Sequence, residues 1–355
     1  MGPGSFVLNG TVHNLLPHLF SDNPKLCVDA KLYMDYLDLD IIPHGKRETT
    51  YPTSQSLPKF NIAPHWALNL DCDIQQLHFR RFQGKNVCGK VKVQNQKLIA
   101  EKLQLGVAGG KVFLDSVLDA RNNDFNIHTS ARLRDVQIAQ FFYMFENFHQ
   151  HLLTDRHLSG EVFSNVDLTI QADKQWNLNW DALQATIDFK IIGGGLHDFE
   201  PLQQLAKYVD KEEDLSKVRF SELKNQIFIE NQTIRIPPME IHSNLTRIQL
   251  SGIHTFDGKV AYNFGVPFTG LRKPEMGWGS EEAWGDSLEG ISLFFKLQGD
   301  VNNYEVSYDA EASQASLKGA LKKQGDILRS ILQGRYREKK KIKELNPDDY
   351  FEFDE

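Results

Sequence analysis

Histidines and carboxylates are the first residues to weigh for chemistry. Twelve histidines occur in the chain, and His149-Gln150-His151, with His157 close behind, is their densest group; imidazole is a common ligand of transition metals. Residues two apart on a helix point to different faces, so His149 and His151 meet at one ion only if the helix ends there. No metal site is expected. Asp71 and Asp73 stand two apart in a strand-like stretch and so share a face. Acid/base catalysis needs surroundings that split the pKa values of such a pair, whereas this face lies opposite Trp66, Leu68, Leu70 and Cys72 and reads as solvated. Gly193-Gly194-Gly195 follows an apolar strand and precedes a helical pattern, the position of a phosphate-cradling turn. The G-x-G-x-x-G spacing and a parallel βαβ context are missing, so a tight strand-to-helix turn is expected instead. The chain also lacks a nucleophile elbow, a P-loop, an H-E-x-x-H helix and an EF-hand loop. No catalytic residue and no cofactor is expected, and the protein reads as a non-enzyme.

What remains is apolar and basic surface. Phe141, Phe142, Phe145 and Phe148 recur at helical spacing and read as core rather than as a ligand site. Between Lys318 and Lys343 ten lysines and arginines face two acidic residues, interleaved with Leu321, Ile327, Leu328, Ile331 and Leu332. A basic amphipathic helix of this kind suits an anionic membrane surface, where each cation contributes on the order of 1 kcal/mol; packing on its own sheet or on a partner is the equal alternative. Lys318, Lys322, Lys323, Arg329, Arg335, Arg337, Lys339, Lys340 and Lys341 are the candidates for that contact.

The chain that must position these residues has 355 of them, with 41% apolar and 25% charged, the composition of a folded, water-facing protein of about two domains. Forty basic against forty-seven acidic residues leave a charge of -7, too acidic for a general nucleic-acid binder. Cys27, Cys72 and Cys88 show no C-x-x-C pair and do not fix the redox compartment. No apolar run reaches membrane-spanning length and no secretory leader opens the chain, which taken literally reads as cytoplasmic. Residues 1–5, Met1-Gly2-Pro3-Gly4-Ser5, read instead as a cloning scar or a cut through a longer protein, with strand-like sequence already under way at Phe6-Val7-Leu8.

Period-two alternation of apolar and polar residues predicts strands over 65–77, 87–93, 98–107, 110–118 and 125–133, an antiparallel meander broken by Asn95-Gln96, Gly109-Gly110 and Asn122-Asn123 turns. A second series covers 161–172, 183–192, 226–236, 239–243, 246–255, 259–267 and 290–309. The series superpose at a shift of about 136 residues: Asn95-Gln96 falls on Asn231-Gln232, Leu103 and Leu105 on Met239 and Ile241, and Val112 and Leu114 on Ile248 and Leu250. With a short gap, Phe79 and Phe82 match Phe220 and Leu223. Helices are expected at 135–152 behind an Asp135 cap, at 198–210 behind Asp198, and at about 315–345. The units are therefore 6–157, 158–312, and a basic helix with an acidic-aromatic tail over 313–355.

The stretch from Leu158 to Gly270 carries Gly160 opening a strand, Gly195-Leu196-His197-Asp198-Phe199 before a short helix, Phe220 with Leu223, Ile229 and Asn231 before Ile234 and Ile236, Pro237-Pro238-Met239, Ser243-Asn244 and Leu250-Ser251-Gly252. This pattern resembles the C-terminal region of the AsmA family in its Bacteroidota form. Residues 6–150 resemble the preceding, more divergent repeat, and the FEFDE ending resembles such tails. The resemblance implies a periplasmic protein of outer-membrane biogenesis, anchored to the inner membrane through an N-terminal helix that this chain lacks, with strand repeats like those of bridge-like lipid-transfer proteins. It supplies no catalytic residue.

The expected fold is thus mainly β: an elongated, curved antiparallel sheet of repeated meanders forming a half-open groove, with a few short helices and a basic C-terminal helix. A sheet with one uncovered apolar face marks a binding surface, and the partner expected on it is phospholipid or another acyl lipid moving between the two membranes. The candidate lining residues are Trp66, Leu68, Leu70, Leu103, Leu105, Val112, Leu114, Ile234, Ile236, Met239, Ile241, Ile248 and Leu250. The alternative is a scaffold or chaperone-like protein that acts on envelope partners by strand addition at a sheet edge. A carbohydrate-active enzyme is the weakest reading.

Overall fold

A computed structural model describes residues 5–20, 25–41, 62–149, 152–203, 216–245, 247–267 and 292–332. Fifteen strands form one sheet in which spatial order follows chain order: β1 (Phe6–His13), β2 (Leu26–Asp38), β3 (Trp66–Phe79), β4 (Phe82–Gln94), β5 (Lys97–Val107), β6 (Gly110–Asp119), β7 (Phe125–Gln137), β8 (Leu158–Ala172), β9 (Leu178–His197), β10 (Lys217–Glu230), β11 (Thr233–His242), β12 (Arg247–Thr255), β13 (Lys259–Pro267), β14 (Ser292–Asp300) and β15 (Asn303–Asp309). β1 and β15 are its two edges, so the sheet is not closed into a barrel. Four α-helices accompany it among the described residues: α1 (Leu15–Phe20), α2 (Ile138–Met144), α3 (Glu200–Gln203) and α4 (Ala310–Leu332). The mainly β sheet with few helices agrees with the sequence reading. Every neighbouring pair is antiparallel except β2 and β3, which run parallel from Leu26 opposite Trp66 to Asp38 opposite His78, a departure from the expected meander. The two halves divided at 157/158 share this one sheet, because β7 pairs directly with β8.

The repeat is visible as recurring registers. Asn95-Gln96 and Asn231-Gln232 both turn tight hairpins with positive φ at both residues, 51° and 58° in the first, 49° and 55° in the second, the conformation whose twist matches antiparallel strands. Leu103 pairs with Leu114 and Leu105 with Val112; 136 residues on, Met239 pairs with Leu250 and Ile241 with Ile248. The ladder slips between Ala100 and Leu103 in the first unit and between Ile236 and Met239 in the second, the same two positions. The gapped match of Phe79 and Phe82 is corrected: they pair across the β3–β4 turn, whereas Phe220 and Leu223 share β10. Without a gap, buried Val87 corresponds to buried Leu223.

These slips are β-bulges, and they explain where simple alternation fails. On β5, β7, β9 and β11 apolar or small residues three apart flank the slip: Ala100 and Leu103, Leu133 and Val136, Ile192 and Gly195, Ile236 and Met239. One extra residue restores the phase, so both members face the same side while the strand bends and its twist increases. Asp135, expected to cap a helix, is the bulge residue of β7 with φ 54°. The helix behind it shrinks to α2, whose N-cap Gln137 makes no side-chain cap bond, followed by a 3-10 turn at Glu146–His149. Gly193-Gly194-Gly195 is likewise no strand-to-helix turn: it lies within β9, where Gly193 takes φ 57° and a Cβ on Gly194 would collide with the Phe220 ring. Two expected strands are hairpins: 226–236 is cut by Asn231-Gln232 and 290–309 by Val301-Asn302. Of the helix expected at 198–210, α3 covers Glu200–Gln203 and residues 204–215 lie outside the described residues.

Candidate functional site

Cross-strand partners project to the same side of a sheet, so the registers trace which residues share a face. From Leu70 one row of direct partners runs through Val91, Ala100, Ser116, Thr129 and Leu168 to Ala185. It continues through Ile229, Ile234, His254, Val260 and Gly299 to Tyr304 on β15. A neighbouring row joins Leu103, Leu114, Ala131, Val166 and Ile187. With the bulges counted, Trp66, Leu68, Leu70, Leu103, Leu105, Val112, Leu114, Ile234, Ile236, Met239, Ile241, Ile248 and Leu250 all stand on this face. The geometry therefore brings the thirteen candidates of both repeats to one side of a single sheet.

The opposite face is charged. Asp71 meets Lys90 at 3.7 Å, Lys92 meets Glu101 at 2.6 Å, Lys97 meets Asp119 at 3.2 Å and Lys190 meets Glu222 at 3.7 Å. Arg121 and Lys97 beside Asp119 hold its carboxyl far below the usual range. Aromatic rings on this side lie under cations: Arg132 over Phe113, Lys190 over Phe163 and Arg235 over Phe228. Asp71 and Asp73, on this face, are the solvated pair expected.

Burial divides the apolar face into three packed clusters, one of them Leu118, Phe125 and Ala172 with Ile62 at the β6–β7 turn end, and a half-buried strip. Toward one strand end, Ile74, Val87, Leu105, Val107, Leu133, Val136, Val162, Ile191 and Leu223 form a buried cluster under α2, against which Phe141, Phe142 and Met144 pack. The phenylalanine group straddles core and surface, since Phe145 and Phe148 stack on each other but remain exposed. At the C-terminal strands, Ile248, Val260, Phe264, Val266, Phe295, Leu297 and Val306 join Leu152 and Leu202 in a second cluster. Leu105 and Ile248 are thus packed floor rather than contact surface. Between the clusters Leu68, Leu70, Leu103 and Leu114 are half-buried, and Trp66 at the margin is 48% exposed. Burial pushes the Cys72 thiol up in pKa on this face and pushes the His254 imidazole down.

The basic candidates are only partly placed. Lys318 and Lys322 are exposed on α4. Lys323 and Arg329 fall within α4, but their side chains lie outside the described residues, as do Arg335, Arg337, Lys339, Lys340 and Lys341. The first turns of α4 dock on the sheet: the Ser313 and Ser316 hydroxyls accept the backbone N–H groups of Phe294 (2.9 Å) and Ser292 (3.0 Å) where β15 has ended. No helix among the described residues is long and apolar enough to cross a membrane.

Of the histidine group, His157 has a local structural role, in which its Nδ1 accepts the Thr154 N–H at 3.0 Å and closes a capping box. The His149 side chain, Gln150 and His151 lie outside the described residues. A hollow of about 500 Å³ at the β6–β7 turn is lined by Arg121, Asn122, Asn123, Asp124, Asn126 and Gln171. It holds one carboxylate, where glycoside hydrolysis uses two. Sequence reasoning missed α1 and the exposure of the β1 edge, where Phe6, Leu8, Leu16, Leu19 and Phe20 all face solvent, and it missed the cluster Asp38, Asp40 and His78. Compared with known proteins, the chain matches no family model, no curated protein and no solved structure.

Proposed function

We propose that this chain is an AsmA-like segment that binds phospholipid acyl chains along the apolar face of its sheet and conducts them between the inner and outer membranes, from a periplasmic position. The observation that carries the reading is the half-buried stretch around Leu70, Leu103 and Leu114, continuous through the ladder with apolar rows to either side and backed by a charged outer face. Each methylene that leaves water for such a surface gains roughly 0.8 kcal/mol. The attraction has no preferred direction, so a chain can slide from row to row while its head group stays hydrated. Bulges at Lys102, Asp135, Gly193 and Pro237-Pro238 bend the strands, which favours a trough over a flat sheet. In a longer form, an inner-membrane anchor would place one end of that trough at the lipid source.

Photo-crosslinking tests it. A photoreactive side chain at Leu70, Leu103 or Leu114 is expected to capture phospholipid in cells, whereas one at Gln104 or Asp115 on the outer face is not. Equal labelling of both faces, or no lipid adduct at the first three positions, would overturn the proposal.

One observation favours the runner-up, strand addition by an unfolded envelope protein. All eight residues of β1 are exposed, and this edge carries neither Lys, Glu nor Pro, the usual guards of a free edge. Capture of unfolded barrel strands by a lipid-free protein, abolished by Val7→Lys, would favour it.

A further inference from the structure

The parallel β2–β3 ladder ends by placing Asp38 opposite His78, and the 3-10 turn Leu39–Ile41 that follows brings Asp40 back to the same imidazole. His78 Nδ1 stands 3.5 Å from Asp38 Oδ1 and 3.5 Å from Asp40 Oδ2. Ligating atoms of the three residues all lie within 4.8 Å of one another, and each residue is half-buried. A separation of 3.5 Å is long for a charged hydrogen bond. It equals the edge of a tetrahedron whose centre lies about 2.1 Å from each corner, the bond length of zinc to imidazole nitrogen and carboxylate oxygen.

We propose that Asp38, Asp40 and His78 bind a divalent transition-metal ion of the zinc type, with the fourth position left to water. The proposal is independent of the lipid reading. A nitrogen donor beside two carboxylates suits zinc over magnesium or calcium, which prefer all-oxygen shells. Second contacts orient the ligands, as supporting shells of metal sites do. Asp38 Oδ1 accepts the Asp40 N–H at 2.9 Å and Asp40 Oδ2 accepts the Arg80 N–H at 2.9 Å. The Tyr36 hydroxyl lies 3.5 Å from Asp38 Oδ2, too far to orient it strongly. The Arg80 guanidinium reaches Glu146 at 3.7 Å, so it is engaged away from the two carboxylates. The bound ion would tie the end of β2, the 3-10 turn and β3 together at the one parallel joint of the sheet.

The test uses the full chain stripped of metal with a chelator and titrated with Zn²⁺ by calorimetry. One ion per chain is expected, with affinity reduced at least about ten-fold by His78→Gln and by Asp40→Asn and unchanged by His242→Gln, at a surface His–Glu pair. The wild-type chain loaded with Co²⁺ should give the strong visible absorption of a four-coordinate site, a readout that does not depend on the variants folding. No Zn²⁺ uptake, no such Co²⁺ spectrum, or equal affinity in wild type and both ligand variants would overturn the proposal.

Discussion

The sheet has a closed end and an open one. At β12–β15 the apolar face is sealed: Leu297 is fully buried, Phe295 is 1% exposed, and Leu202 of α3, Leu152 and partly buried Phe199 and Leu245 pack over it. At β1–β3 the same face carries Phe6 at 64% and Trp66 at 48% exposure. β3 and the strands β12–β15 read alike as alternating strands. The difference lies in what covers them, and it teaches that a period-two pattern sets which side chains share a face without deciding whether that face is core or surface.

The largest effect expected from this contrast is on stability. Phe295→Ala should cost about 3–5 kcal/mol because the vacated volume cannot collapse in a sealed cluster. Leu103→Ala on the half-open stretch should cost less than about 2 kcal/mol, since its side chain already has solvent on one side. Urea unfolding of the two variants measures both, and equal losses would erase the distinction between the sealed cluster and the half-open stretch. Next, Gly194→Ala sets a Cβ against the Phe220 ring and should destabilise by about 1–3 kcal/mol through overpacking. The double variant Gly194→Ala with Phe220→Leu should recover part of that loss if the ring contact is the cause.

A smaller effect compares the two repeats. Gln96→Gly and Gln232→Gly should each stabilise by roughly 0.5–1 kcal/mol, because each relieves a positive φ in the same kind of turn. Similar gains in thermal melts would support the structural equivalence of the hairpins, and unequal gains would weaken it.

The smallest effect is a pH dependence. Burial lowers the pKa of His254 in the fold, so the unfolded chain binds more protons below its own pKa near about 6.5. Its neutral form contributes stability above that pH, and the contribution is lost as pH falls toward the folded value. His254→Met should flatten this part of the pH profile of the unfolding midpoint between neutral and mildly acidic pH.

Much of the fold was legible. The alternation of Leu68, Leu70 and Cys72 against Asn69, Asp71 and Asp73 named the faces of β3, and Asn95-Gln96 named a hairpin turn, whereas its counterpart Asn231-Gln232 was read as mid-strand. The bulges were legible in principle too, as apolar spacings of three inside strands, yet Asp135 before an apolar run resembled a helix cap and Gly193 to Gly195 resembled a turn. Local chemistry was ambiguous there because a bulge and a cap use the same residue types. The Asp38–Asp40–His78 cluster was not legible: 40 residues separate Asp38 from its partner His78, and the parallel β2–β3 register sets them opposite each other.

By itself the sequence determined the β class, the repeat at an offset of about 136 residues and the thirteen side chains that share a face, because these follow from local backbone geometry and a period of two. Tertiary structure alone decided that both repeats run through one fifteen-stranded sheet, that β2 and β3 lie parallel, and that Ile248 is sealed while Leu103 and Leu114 stay half-open. Those outcomes depend on which distant segment arrives to cover or pair with a strand, and the energy of that contact is not written in the strand it completes.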